Sequence, residues 1–138
     1  MSDLTDLKRR VEEATGPDRD LDCLLQAALV HKVPAVRSSA WNPPRFFANP
    51  TPDVDWIGYD LAETSPRYTA SLDATVALIE RVLPGAEIEM WSDRKRGRWN
   101  AQLIPAGKAR EDSFGASHVR LGNALLAALL SACEGGVK

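Results

Sequence analysis

Residues 67–85 read RYTASLDATVALIERVLPG, a helix whose start and stop are both written into the chain. Ser71 stands at the N-cap position, where its hydroxyl can accept a bond from a first-turn amide. Ala74, Val76, Ala77 and Ile79 supply a helical interior. Pro84 cannot continue the hydrogen-bond ladder, and Gly85 tolerates the left-handed turn that follows a helix end. This is a scaffold signal, and the rest of the fold is read outward from it.

Upstream, Leu4, Leu7, Val11 and Ala14 recur at three- and four-residue spacing on one face of a first helix, with Ser2 or Asp3 able to cap it. Gly16-Pro17 closes that helix and opens a second, with Asp18 and Asp20 at the positive end of its dipole. Leu21, Leu24, Leu25, Ala28 and Leu29 line the second helix, so residues 3–30 are predicted to form a helical hairpin. From 33 to 66 the pattern dissolves. Six of the nine prolines (34, 43, 44, 50, 52, 66) fall here, together with Trp41, Phe46, Phe47, Trp56 and Tyr59. A flexible linker would not carry five aromatics, because each exposed ring forgoes roughly 1.5–3 kcal/mol of burial. The expectation is an irregular segment packed on the surface, with one strand at 54–61.

Downstream, Ile88 and Met90 alternate with Glu87, Glu89 and Trp91. Trp99, Ala101 and Leu103 alternate with Asn100, Gln102 and Ile104. Residues 93–97, Asp-Arg-Lys-Arg-Gly, connect the two arms as a hairpin loop. Residues 105–116 read as polar loop. A last helix is expected from about Ser117 to Cys133, with an apolar stripe wide enough for burial on more than one side, stopped by Gly135-Gly136. The element order predicts an α+β fold, an alpha-beta-alpha layered sandwich around a small, mainly antiparallel sheet. Residues 1–138 are expected to form a single domain: helical hairpin 3–30, aromatic and proline-rich segment 33–66, and helix-hairpin-helix remainder 71–134.

Composition sets outer bounds. The 138 residues are 44% hydrophobic and 26% charged, with a formal net charge of −2, so no global field draws the chain to nucleic acid or anionic lipid. The N-terminal MSDLTDLKRR has no apolar run, and the longest apolar stretch, 124–130, falls short of the ~20 residues of a membrane span. No signal peptide, no membrane partner and a cytoplasmic location are expected.

Two stretches carry a family resemblance: EEATGPDRDLDCLLQAAL at 12–29 and YTASLDATVALIERVLPG at 68–85. With the C-terminal helix that follows a polar strand loop, they resemble the phage ABA-sandwich domain family, small proteins of phage and prophage genomes. The segment 33–66 is longer than the family's usual one, and Ser117-His118 stands where its pattern tends to read Ala-Thr-Pro. The resemblance implies an alpha-beta-alpha layered fold and no established activity, so it carries over no catalytic or binding residue.

The residues themselves assemble little chemistry. Asp18, Asp20 and Asp22 begin like a calcium loop, but Cys23 and Leu29 stand where that loop needs glycine and glutamate. Their simpler roles are at a helix start, with Asp22 pairing with Arg19 or, like Asp73, capping backbone amides in a neighbouring turn. His31 and His118 are too far apart, and too far from other ligands, to suggest zinc. Cys23 and Cys133 read as small buried side chains. On one continuous helix Cys133 and His118 would lie roughly 22 Å apart at 1.5 Å per residue, too far to cooperate. No nucleophile, base and oxyanion set forms, so no catalytic residue, metal ligand or cofactor is expected.

Interaction candidates are clearer. Arg94, Lys95, Arg96 and Arg98 form one basic cluster flanked by Trp91 and Trp99, a pattern that can track phosphates while rings stack on bases. The same charges also suit a solvated hairpin tip that resists edge pairing, or an acidic protein surface. Asp53, Asp55, Asp60 and Glu63 form an acidic counterpart able to meet the basic cluster between subunits. Trp41, Phe46, Phe47 and Trp56 are either contact aromatics or covers for the sheet. The expectation is a small non-enzymatic phage or prophage accessory protein acting by protein–protein contact, its partner a host or phage protein or itself, in a host- or defence-modulating role. The alternative is a nucleic-acid-binding module using residues 94–98.

Overall fold

The computed structural model describes residues 3–32, 35–38, 45–48 and 59–135. Its elements run α1 (Asp3–Glu13), α2 (Arg19–Leu25), β1 (Ala35–Ser38), β2 (Arg45–Ala48), β3 (Tyr59–Asp60), α3 (Leu61–Thr64), α4 (Leu72–Val82), β4 (Glu87–Asp93), β5 (Arg98–Ile104), β6 (Phe114–His118) and α5 (Leu121–Glu134). The α+β class holds, and both sheets are antiparallel, in the orders β1-β2-β3 and β4-β5-β6.

The helix that opened the sequence reading forms as its signals direct. Ser71 caps α4 by accepting from the Ala74 amide at 3.2 Å, and Gly85 takes the left-handed conformation (φ +79°) that ends the turn. Asp18 caps α2 in the same way, accepting from the Leu21 amide. The second helix does not continue as one α-helix to Leu29. From Gln26 to His31 it widens into a π-helical turn that ends at Lys32 in the left-handed region. Gln26 of this turn accepts from Tyr68, and Ala27 packs in a small apolar cluster with Cys23 and Leu61.

Helix α5 is the centre of the molecule. Asn123 through Leu130 are buried without interruption, along with Ala132, so the helix is covered all round. The β4-β5-β6 sheet lies on one side of it through Ala101 and Leu103. Leu7 and Val11 of α1, Leu25 of α2, and Leu78 and Ile79 of α4 complete the same cluster. The helices of this cluster pack against the face of the sheet that carries Ala101 and Leu103. The other face carries Glu87, Trp91, Gly115 and Ser117, all exposed.

Three expectations change with β6. Residues 114–118 pair with β5 (Leu103 opposite Phe114, Trp99 opposite His118), so they are strand where loop and helix start were expected. The pattern FGASH hides this, because Gly, Ala and Ser have low strand propensity. His118 therefore lies on β6 and not on one helix with Cys133. Helix α5 does end at Glu134 with Gly135 as its C-cap, at φ −74°; a Cβ there would come within 2.9 Å of the Phe114 ring, so its small size is what permits the contact. Strands β1, β2 and β3 form a second sheet, whose β3 runs straight into α3. Of the strand expected at 54–61, residues 54–58 lie outside the described residues, 59–60 are strand, and Leu61 is helical. A small cluster of Cys23, Ala27 and Leu61, with Ala35 and Phe46 against it, joins this sheet to α2 and α3.

Polar side chains lock the layers. Asp22 is only 2% exposed and accepts from the Thr69 amide (2.7 Å) and the Thr69 hydroxyl (2.8 Å), with Arg19 Nη1 at 3.3 Å. Arg19 also donates to the Ser65 and Pro66 carbonyls, and Arg120 Nη2 donates to the Thr69 carbonyl at 3.0 Å. Tyr68 donates to Gln26, and burial pushes its phenol up to about 12. Asp22 is the buried cap over a neighbouring turn that the sequence allowed; Asp73 is exposed in the first turn of α4. At the far side, His118 Nδ1 accepts from the Arg120 amide (2.9 Å), which leaves Nε2 to donate to the Glu12 carbonyl at 3.1 Å. Burial pushes His118 below its ordinary value, with Arg98 and Arg120 adding to the effect and the Glu12 and Ala14 carbonyls opposing it. Burial lowers His31 too, aided by Arg81.

Two stability outcomes follow. Leu126→Ala lowers the unfolding free energy by roughly 2–5 kcal/mol, and Asp22→Ala by about 2–3 kcal/mol because Thr69 loses its acceptor. Urea titration measures both, and Asp22→Asn is milder. The pH response has a definite sign. A histidine lowered on folding is protonated first in the unfolded chain, so its contribution is complete above about 6.5 and declines as pH falls below it. The melting temperature therefore drops between pH 7 and 5, and His118→Gln flattens that drop.

Candidate interaction surface

The β4–β5 hairpin grows more exposed toward its turn. On its helix-facing side Leu103 and Ala101 are buried, but exposure rises toward the turn, to 42% at Met90 and 38% at Trp99. The register explains the pairing of these two. Met90 lies opposite Ala101 and Ser92 opposite Trp99, so Met90 and Trp99 are diagonal neighbours on one face, roughly 7–8 Å apart. Trp91, opposite Asn100, points to the other face and is 49% exposed. The hairpin thus presents apolar side chains on both faces.

The turn between the strands is cationic. Arg94, Lys95 and Arg96 are exposed. Arg96 donates its amide to Asp93 and holds the same carboxylate at 3.7 Å, whereas Arg94 and Lys95 pair with no carboxylate among the described residues. Arg98 is half-buried and tied down, with Nε donating to Ser117 Oγ (2.9 Å) and Nη2 to the Ser117 carbonyl (2.8 Å). On the outer face Arg110 clamps Glu89 through two bonds of 2.6 and 2.8 Å, so that carboxylate is matched locally and the Arg110 guanidinium is held more firmly charged.

The other candidates are placed differently. Phe46 packs in the small cluster with Cys23, Ala27 and Leu61. Phe47 contributes backbone to β2 opposite Val36. Trp41 and Trp56 lie outside the described residues, as do Asp53 and Asp55. Met90 was missed as a contact residue. The signal for it was parity: across the turn it shares a face with Trp99.

Burial raises the thiols of Cys23 and Cys133, with Arg19 and Lys32 respectively pulling back, so both stay protonated near neutral pH and are poor nucleophiles. Among the described residues no three His, Cys, Asp or Glu side chains are grouped to share a metal ion, and no helix is long and apolar enough to cross a membrane. No protein-family model matches the chain, nor does any curated protein or solved structure.

Proposed function

We propose that the chain is a small non-catalytic accessory protein of the phage or prophage type that works by protein–protein contact through the β4–β5 hairpin. One observation carries this reading. Three of the five large apolar side chains exposed among the described residues, Met90, Trp91 and Trp99, stand on this one hairpin, beside unpaired Arg94 and Lys95. Aromatic and arginine side chains together are the residues that most often anchor interfaces. A charged turn keeps the strands from edge-to-edge aggregation while leaving them free for a specific partner. The motifs at 12–29 and 68–85 support the phage assignment, and the protonated thiols and fully engaged His118 support a non-catalytic role.

The nucleic-acid reading keeps one specific support. Trp91 lies beside Asn100 on the solvent-facing side of the sheet, with the cationic turn next to it, an arrangement on which a base could stack while phosphates meet the arginines.

A photo-crosslinking residue placed at Lys95 or Trp99 in cells gives discrete protein adducts, while the same residue at the exposed Glu80 of α4 gives none. Replacing Arg94, Lys95 and Arg96 by Ser reduces the adducts roughly tenfold and leaves the melting temperature nearly unchanged, as expected for exposed side chains. Equal adducts from position 80, or none from the hairpin, would overturn the protein reading. Low-salt anisotropy with single-stranded oligonucleotides shows no affinity that this triple variant abolishes; a steep salt slope lost in the variant would replace the proposal with the nucleic-acid one.

A further inference from the structure

We infer that the hairpin's partner is a second copy of the same chain, in a two-fold dimer where the basic turn 94–98 of each copy lies on the acidic α1–α2 turn of the other. The inference rests on the hairpin being the contact surface and names what it contacts.

The α1–α2 turn has the complementary charge. Glu12, Glu13 and Asp20 are exposed and Asp18 is half-buried, around a shallow open hollow of about 600 Å³ lined by residues 13–20. Of these, Glu13 is held by Arg9 at 2.7 Å and Asp18 lies 4.0 Å from Arg10, while Glu12 and Asp20 make no ion pair among the described residues. The hollow's own cation, Arg19, is engaged by Asp22 and by the Ser65 and Pro66 carbonyls; the hairpin adds three exposed cations on a turn, with Trp99 and Met90 behind them.

Position decides the symmetry. Trp99 faces His118 across the β5–β6 pair, and His118 reaches the Glu12 carbonyl, so the hairpin and the acidic turn occupy the same end of the molecule. Within one copy no ion pair joins Arg94, Lys95 or Arg96 to the turn among the described residues. A head-to-tail chain needs its two complementary patches on opposite ends. Patches side by side at one end are instead satisfied together by a two-fold axis, each contact occurring twice. The dimer also takes Met90 and Trp99 of both copies out of water, which supplies the non-directional part of the affinity.

The test exchanges the charges. Sedimentation velocity at about 100 µM and about 50 mM salt gives twice the 15.1 kDa chain mass for the natural protein, with dissociation at about 500 mM. The R94E/K95E/R96E variant and the E12K/E13K/D20K variant are each monomeric, because each places like charges in both contacts. Far-UV circular dichroism and melting confirm that both are folded. Mixed in equal amounts, they return to the dimer mass, since each acidic hairpin now meets a basic turn and each basic hairpin an acidic one. A natural protein that stays monomeric at low salt, a single variant that remains dimeric, or a folded mixture that fails to associate would each overturn the inference. A monomer whose hairpin still crosslinks to a different protein rejects self-association and leaves the hairpin reading standing. Loss of all hairpin adducts rejects both.

Discussion

A helix apolar on every side must be covered on every side, and α5 imposes that requirement on everything around it. Its buried run from Asn123 to Leu130 cannot be satisfied by a sheet alone, which covers one face. The β4-β5-β6 sheet takes one flank, and α1, α2 and α4 close the others. The same constraint creates the exposed hairpin. Only Val119 and Arg120 separate β6 from α5, so the helix begins level with the end of β6 and lies over β5 and β6. Met90 stands on the edge strand β4, and Trp99 lies level with His118 where β6 ends, so both keep the exposure that Ala101 and Leu103 lose.

Covering α5 brings backbone polar groups into the interior, and the solution is specific. The last carbonyls of α1 have no partner within their own helix. Two of them are answered from over a hundred residues away: Asn123 Nδ2 donates to the Val11 carbonyl at 2.9 Å and His118 Nε2 to Glu12's at 3.1 Å, while Asn123 Nδ2 also approaches the carbonyl of Ala14, just past the helix, at 3.5 Å. These side chains act as a C-cap supplied by the β6–α5 corner. Their burial is tolerable because each replaces a bond to water that the α1 carbonyls would otherwise lose. Asp22 does corresponding work in the first turn of α2, beside the same α1–α2 turn, accepting from Thr69 in the segment that leads into α4.

Local signals were legible where a residue acts on its own few neighbours. Ser71, Asp18 and Gly85 do what their positions suggest, because a cap or a left-handed turn needs nothing beyond the adjacent turn. The hairpin arms and the breadth of the α5 stripe were legible too. What escaped the sequence depends on distant partners. The strand character of FGASH comes from pairing with β5 and from Phe114 resting on Gly135, not from propensity. His118 looked like an isolated imidazole because its partners are backbone atoms of α1. The π-helical turn leaves no mark on a 3.6-residue pattern. The candidate surface was half legible: Arg94, Lys95, Arg96, Trp91 and Trp99 stood out as a cluster. That they stay exposed beside the buried Ala101 and Leu103 follows only from how the sheet packs.

The division of labour within the hairpin follows from magnitudes. Exposed ion pairs contribute about 0.2–1 kcal/mol each and weaken with salt, so three cations on a turn steer and orient a partner more than they hold it. Burying an indole or a thioether side chain contributes more, on the order of 1.5–3 kcal/mol, but fixes no direction. Trp99 and Met90 on one face, set just behind the cationic turn, combine the two: charge decides which surface approaches and in what orientation, and the apolar pair decides how long it stays. Trp91 on the opposite face cannot enter the same contact, because successive side chains of a strand alternate between faces.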